Sequence, residues 1–236
     1  NDAANTSFAR PFTGGSRVIQ EGLVRPEEML LAAGLCLGLA GLLGLYLTWV
    51  GGWPILLLGA VGGVTGVLYT APPFKFVYRG LGELFIFLDF GLLPVLGAYY
   101  LQTGHFSLAA AVASLPTALL ITGVLWINQF QDREADAAVG KRHWVVRLGR
   151  WRAAWVHVAL LTSSQLITPL AALAGLLPGG AALSLLGAPL ALRAGITAVA
   201  AHDDLPRLTP ANAATIGCHL VTSLALSLGL VLSRRI

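Results

Sequence analysis

Charge is what this sequence has least of. Asp, Glu, Lys and Arg make up 11% of its 236 residues, against roughly a quarter in a soluble domain, and that shortage excludes an ordinary water-facing globular surface. Cysteine is scarce as well. Cys36 and Cys218 both fall inside apolar runs, where a thiol behaves as a small apolar group, so neither a disulfide framework nor a thiolate metal site is indicated. No basic patch interleaved with aromatics accompanies the net charge of +4, so no nucleic-acid partner is expected. The chain also lacks an opening Met or a signal-like segment. It starts on Asn1-Asp2-Ala3-Ala4-Asn5-Thr6, in the style of a loop, which predicts that its natural N-terminus lies further upstream.

Apolar sequence is what the chain has in abundance: 56% of residues are hydrophobic and the mean hydropathy is +0.75. Runs of roughly 20 apolar residues recur, each long enough to cross a hydrocarbon layer of about 30 Å. In lipid a backbone must satisfy its own hydrogen bonds, and runs this continuous in Leu, Ala and Gly do not alternate as barrel strands do. The expected fold is therefore all-α, a polytopic transmembrane helical bundle embedded in a lipid bilayer, with residues 1–236 forming one domain. About seven spans are predicted, near 28–49, 54–71, 84–102, 107–129, 153–177, 181–201 and 211–232.

The connections alternate in charge. Segments 1–25, 72–82, 130–152 and 202–210 hold Arg10, Arg17, Arg25, Lys75, Arg79, Arg133, Lys141, Arg142, Arg147, Arg150, Arg152 and Arg207, whereas 48–53, 103–106 and 178–180 hold no Lys or Arg. The positive-inside rule puts the first set on the cytoplasmic side. All the polar motifs are thereby expected on one face of the membrane.

One of these segments carries more than topology requires. Asn128, Asp132 and Asp136 recur every four residues, and since each step of four drifts by only about 40° around a helix, their oxygens share one face. Such a stripe, with Lys141, Arg142 and Arg147 just beyond, suits a hard divalent cation that in turn holds a phosphate. Carboxylates beside cations also match diphosphate chemistry, in which negative charge builds on a leaving group. The plainer reading is a solvated loop whose cations only set orientation, but that role does not need three oxygen side chains in register. Near the start, Gly14-Gly15 with Arg17 offers a turn that an anion could approach, or an ordinary turn with a solvated Arg.

These residues resemble a family. Asn128-x3-Asp132-x3-Asp136-x3-Gly140-Lys141, continuing to Val145-Val146-Arg147-Leu148-Gly149, is similar to the second aspartate-rich motif of the UbiA superfamily of intramembrane prenyltransferases. Pro11 to Ile19 with Glu21-Gly22-Leu23, Tyr69-x2-Pro72-Pro73 with Arg79-Gly80-Leu81-Gly82-Glu83, and Gly97-x-Tyr99-Tyr100-x-Gln102 look most like the branch that prenylates 1,4-dihydroxy-2-naphthoate in menaquinone biosynthesis. The resemblance spans essentially the whole chain. It implies a fold with two more N-terminal helices than are present, and a first aspartate motif of which Asp2 is the last acid; a fragment lacking them is expected to be inactive alone.

The same resemblance implies a Mg²⁺-dependent transferase. A polyprenyl diphosphate would ionise and an electron-rich aromatic acceptor attack the allylic cation, with loss of CO₂ giving demethylmenaquinone. By this likeness Asp2, Asn128, Asp132 and Asp136 form the metal site, with Asp132, Asp136 and Lys141 catalytic. Arg17, Lys75, Arg79, Lys141 and Arg147 become diphosphate contacts, and Tyr69, Tyr99 and Tyr100 candidates for lining the prenyl or ring pocket, against the plainer reading of interfacial aromatics as packing. Other acceptors of the superfamily (4-hydroxybenzoate, homogentisate, haem, glycerol phosphates) remain alternatives, as does a membrane transporter that uses the acids as an ion path. A bacterial or archaeal cell membrane is the expected location, with the polar site facing the cytoplasm. Two features depart from the family pattern: His143-Trp144 replaces a common Thr-Leu, and Asp89 stands within a span where an apolar residue is expected. His157 and His219, also within spans, are expected to be helix-contact residues.

Overall fold

The computed structural model describes Val18, Ile19 and residues 21–233. Helices account for the architecture, and no strand occurs among the described residues. They are α1 (Pro26–Gly51), α2 (Trp53–Leu68), α3 (Gly82–Phe87), α4 (Leu93–Thr103), α5 (Leu108–Ala138), α6 (Trp144–Leu173), α7 (Ala188–Ala200) and α8 (Leu205–Ser233), with a π-helical turn at Leu88–Leu92 and a 3₁₀ segment at Gly179–Gly187. Six of the continuous helical runs are long and apolar enough to cross a membrane, and Trp53–Leu68 is a shorter apolar helix. The protein is an integral membrane protein with a polytopic helical bundle.

Local chemistry sets the boundaries. At the start of α1, Pro26 occupies the first turn, and the Arg25 amide and guanidinium both donate to Glu28, a reciprocal cap that satisfies an otherwise orphaned end. The helix stops at Gly52, whose φ of 78° is a left-handed value that favours glycine. Pro72 and Pro73 keep the segment after α2 out of helix, so the second span ends at Leu68 and falls short of the expected residue 71.

Three expected spans differ in kind from what forms. The third is not one α-helix: it passes through the π turn at Leu88–Leu92, which carries Asp89 and is followed by Pro94. The sixth begins as 3₁₀ structure and becomes α-helical only at Ala188. The stretch expected as a loop at 130–152 is almost wholly helical. α5 runs on to Ala138 because residues 130–138 contain good helix formers and no glycine or proline, and α6 begins at Trp144 with a break at Gly149, where φ is 75° and ψ 159°. Only residues 139–143 connect the two helices.

The core is built by α5, α6, α7 and α8 around Trp126, Ile127, Phe130, Val145, Leu208 and a set of alanines, Ala153, Ala154, Ala198 and Ala211. Lipid tails are as apolar as leucine, so burial does not by itself hold transmembrane helices together; small residues that let backbones approach, and hydrogen bonds between helices, do. Polar bonds cross the core at several depths. His157 Nε2 lies 3.1 Å from Thr215 Oγ1, Gln165 Nε2 donates to Thr222 Oγ1 at 3.0 Å, and the Thr168 and Ser184 hydroxyls pair. The helix-contact role expected for His157 is what forms.

Close backbone approach is sharpest where the 3₁₀ segment meets α8: a Cβ added to Gly229 would collide with the carbonyl of Gly180. Gly229→Ala should therefore lower stability by about 1–3 kcal/mol. Gly44→Ala, with no atom within 4 Å of the added Cβ, should leave it unchanged. Thermal unfolding of the two variants in detergent measures the difference, and equal midpoints would show that the α8 contact is not close.

Candidate active site

α5 is 31 residues long, about 46 Å at 1.5 Å per residue, so its last turns stand clear of a hydrocarbon layer of about 30 Å. Asn128, Asp132 and Asp136 lie on this emerging part in the expected stripe, and each meets something different. Asn128 Oδ1 accepts from Asn212 Nδ2 of α8 at 2.7 Å, while Asn212 Oδ1 accepts from Gln131 Nε2 at 3.1 Å. Asp132, half-buried, sits one turn beyond. Asp136 receives Lys141 Nζ on one oxygen at 2.6 Å and faces His143 Nε2 with the other at 3.2 Å. Burial draws the Asp136 carboxyl up, but the His143 and Lys141 hydrogen bonds and the Lys141 charge outweigh it and hold it below the usual carboxylate range.

The 72–83 segment closes over this helix end. Arg142 N donates to Tyr78 O at 2.9 Å, and Trp144 Nε1 donates to Gly80 O at 2.9 Å. Arg147 ties both connections together, its Nε to Arg142 O at 2.6 Å and its Nη2 to Arg79 O at 2.7 Å. Gly80 is required on two counts: its φ is +77°, and a Cβ there would lie 3.3 Å from Arg142 O and from the Arg147 guanidinium. Glu83 is 6% exposed; its Oε1 accepts from Gln129 Nε2 at 3.1 Å and from Trp144 N at 3.3 Å, while Oε2 is buried with no hydrogen-bond partner.

The sequence contains two lysines, Lys75 and Lys141, and the fold brings both to one ring. Lys75 Nζ lies 5.4 Å and Lys141 Nζ 5.9 Å from the centre of Tyr78, within cation–π range. Lys75 adopts φ 47° and is the one non-glycine residue with positive φ among those described. Arg79 is exposed, and its Nη2 donates to Pro73 O at 3.0 Å.

The residues singled out in the sequence thus divide into groups. Asn128, Asp132, Asp136, Lys141, Lys75, Arg79 and Arg147 share one end of the bundle. Tyr69 joins them at the end of α2, its hydroxyl 3.1 Å from where a Cβ on Gly82 would stand. Tyr99 and Tyr100 do not: they lie on α4, about 24 Å along the span from Glu83, against His105 and Phe106. Asp2 and Arg17 lie outside the described residues. Sequence reasoning missed Tyr78, Glu83, His143 and Asn212 as members. The signal for Glu83 was available, since it and Asp89 are the only acids between Glu28 and Asp132.

As for metal binding, no group of three or more His, Cys, Asp or Glu among the described residues is placed to hold an ion. Asp132 and Asp136 supply two hard-oxygen side chains on one helix face. That matches the habit of Mg²⁺, which is held through one or two carboxylates plus substrate phosphates and keeps several waters.

Known proteins resemble the chain over most of its length. The model of the UbiA prenyltransferase family matches residues 13–231. The 1,4-dihydroxy-2-naphthoate octaprenyltransferase of Escherichia coli is 31% identical over 239 residues, covering 99% of this chain and 77% of that protein. The protein of the same name from Mycobacterium tuberculosis is 32% identical over 77% of this chain and 61% of its own length. The 2-carboxy-1,4-naphthoquinone phytyltransferase of Synechocystis is 30% identical over 81% of this chain and 63% of its own. The chain therefore spans about three quarters of the first relative and less than two thirds of the other two.

The Arg147 clamp has a measurable consequence. Arg147→Met removes both carbonyl contacts and should free the 72–82 segment, so that limited proteolysis cuts there about tenfold faster, the equivalent of roughly 1.4 kcal/mol in local opening. Unchanged protection would mean that the segment is held by other contacts.

Proposed function

The chain belongs to the UbiA prenyltransferase family, and on that premise we propose that it transfers a polyprenyl group from its diphosphate to 1,4-dihydroxy-2-naphthoate, with loss of CO₂, to give demethylmenaquinone. The family supports prenyl transfer. The named activities of the relatives support a naphthoate or naphthoquinone acceptor. The observation that carries the placement of the chemistry is the seam at the end of α5, where the Asp136 carboxylate, Lys141 and Lys75 converge around Tyr78.

In this proposal the diphosphate lies against the seam at the cytoplasmic face and the prenyl chain extends among the apolar helices. Lys141 shifts its hydrogen bond from Asp136 to a diphosphate oxygen, with Lys75 and Arg79 beside it. Arg147 has its Nε and Nη2 committed to backbone carbonyls and serves chiefly to hold the two connections together around the leaving group. The allylic C–O bond breaks with its electron pair going to the diphosphate, whose growing charge these cations absorb. A carbon–carbon bond then forms at the ring carbon that bears the carboxylate, and departure of CO₂ restores aromaticity. Mg²⁺ is proposed as cofactor, held by Asp132 and Asp136 with Asp2 and the diphosphate oxygens, and when bound it neutralises phosphate charge. Asn128, bonded to Asn212, supports the stripe from within the bundle.

The test is transfer by the intact protein in membranes, using a polyprenyl diphosphate and a panel of aromatic acceptors. Product should form on the naphthoate, should cease when EDTA removes the divalent ion and should return with Mg²⁺. Asp132→Ala and Asp136→Ala should each lower turnover by about 10²–10³-fold. Full activity in both variants would place the chemistry elsewhere.

A further inference from the structure

Asp89 is an acidic side chain well inside a spanning segment, and the proposed reaction leaves it without a task. A carboxyl at membrane depth is costly and normally faces a polar partner or a cavity, and Asp89 does both. Thr65 Oγ1 of α2 donates to its Oδ2 at 2.7 Å. Its Oδ1 is buried and has no hydrogen-bond partner. It also lines a cavity of about 690 Å³ between α1, α2 and α4 whose other walls, apart from Thr48, are apolar or glycine, Gly41, Gly59, Gly62 and Gly97 among them. The backbone contributes as well: Asp89 sits in the π turn at Leu88–Leu92, a local irregularity of a kind found often at functional sites.

The position of this pair relative to the seam indicates its ligand. Thr65 and Tyr69 are four residues apart on α2, so the Thr65–Asp89 pair lies about one turn, roughly 5–6 Å, deeper in the bundle than Tyr69. The cavity that Asp89 lines runs from this pair along Gly59, Gly62 and Gly97, and its volume is ample for a fused two-ring aromatic. Glycine walls expose flat backbone and suit a planar body. An acceptor oxygen left unpaired in apolar surroundings carries an energetic penalty that a hydroxyl donor on the occupant relieves. We propose that Asp89 binds a ring hydroxyl of the aromatic acceptor, Thr65 holding Oδ2 while a small turn of the carboxyl brings the enclosed Oδ1 to the donor. This rests on the aromatic acceptor argued above, and it makes Asp89 a determinant of acceptor specificity.

Steady-state kinetics of the intact protein in liposomes test it. Asp89→Leu places an apolar residue at membrane depth and so should not prevent folding, which a thermal midpoint at or above that of the unaltered protein will register. The variant should raise the KM for the dihydroxynaphthoate by about tenfold or more and leave the KM for the prenyl diphosphate unchanged. The unaltered protein should discriminate against the mono-O-methyl ether of the acceptor, and Asp89→Leu should lose that discrimination; Asp89→Asn, which keeps a carbonyl acceptor, should retain part of it. An unchanged acceptor KM with unchanged discrimination in Asp89→Leu overturns the inference while leaving the prenyltransferase reading intact. Failure of the unaltered protein to prenylate the naphthoate would instead count against that reading.

Discussion

Hydrocarbon does not tolerate an unpaired polar group, and most of this structure follows from that constraint. Among the described residues the spanning segments are helical, so that backbone donors and acceptors are paired within each segment where no water could replace a missing partner. Many polar side chains are joined in pairs across helix faces, as with His157 and Thr215 or Gln165 and Thr222, while others, such as Thr122, turn back onto a carbonyl of their own helix. The scarcity of charge in the sequence is the same constraint expressed as composition. Each charge that persists at depth therefore asks for a reason, and Asp89 is the clearest instance.

At the end of α5 the constraint relaxes, and charge density rises within a few turns of helix. The arrangement there is an interlocked set. Arg147 spans two connections through their carbonyls, Glu83 receives both Gln129 and the Trp144 amide, and Asp136 is shared by Lys141 and His143. The cations are thereby held near each other before any anion arrives, so that ordering them costs little when one binds. A preorganised cationic seam opening onto an apolar bundle suits a substrate with a diphosphate at one end and a hydrocarbon chain at the other, as the proposed reaction requires.

Much of this was legible in the sequence because it depends on short-range rules. Spans show as apolar runs, the stripe of Asn128, Asp132 and Asp136 shows as a period of four, and the alternating charge of the connections shows which ends meet. The convergence of Lys75, Lys141, Arg79 and Arg147 at one end of the bundle agrees with that last pattern. What the sequence hid depends on long-range packing or on subtle backbone geometry. The connection at 130–152 reads as a charged loop, and composition did not reveal that it would be helical again from Trp144, or that Leu88–Leu92 would widen into a π turn. Tyr99 and Tyr100 are as aromatic as Tyr69, yet they end at the opposite end of a span, where local pattern offers no warning. Glu83 is conspicuous in the sequence as a rare acid, but that it meets Gln129, 46 residues away, and that His143 meets Asp136 follow from packing.

The two lysines allow the seam to be interrogated directly. The intact protein is labelled with an amine-reactive reagent, in the presence and absence of an uncleavable prenyl thiolodiphosphate, and the peptides carrying Lys75 and Lys141 are quantified by mass spectrometry. Binding at the seam predicts that the analogue protects both lysines together and that inorganic sulfate at the same concentration protects neither. Equal labelling of both lysines with and without the analogue, under conditions where the analogue inhibits transfer, would contradict a diphosphate site at the end of α5.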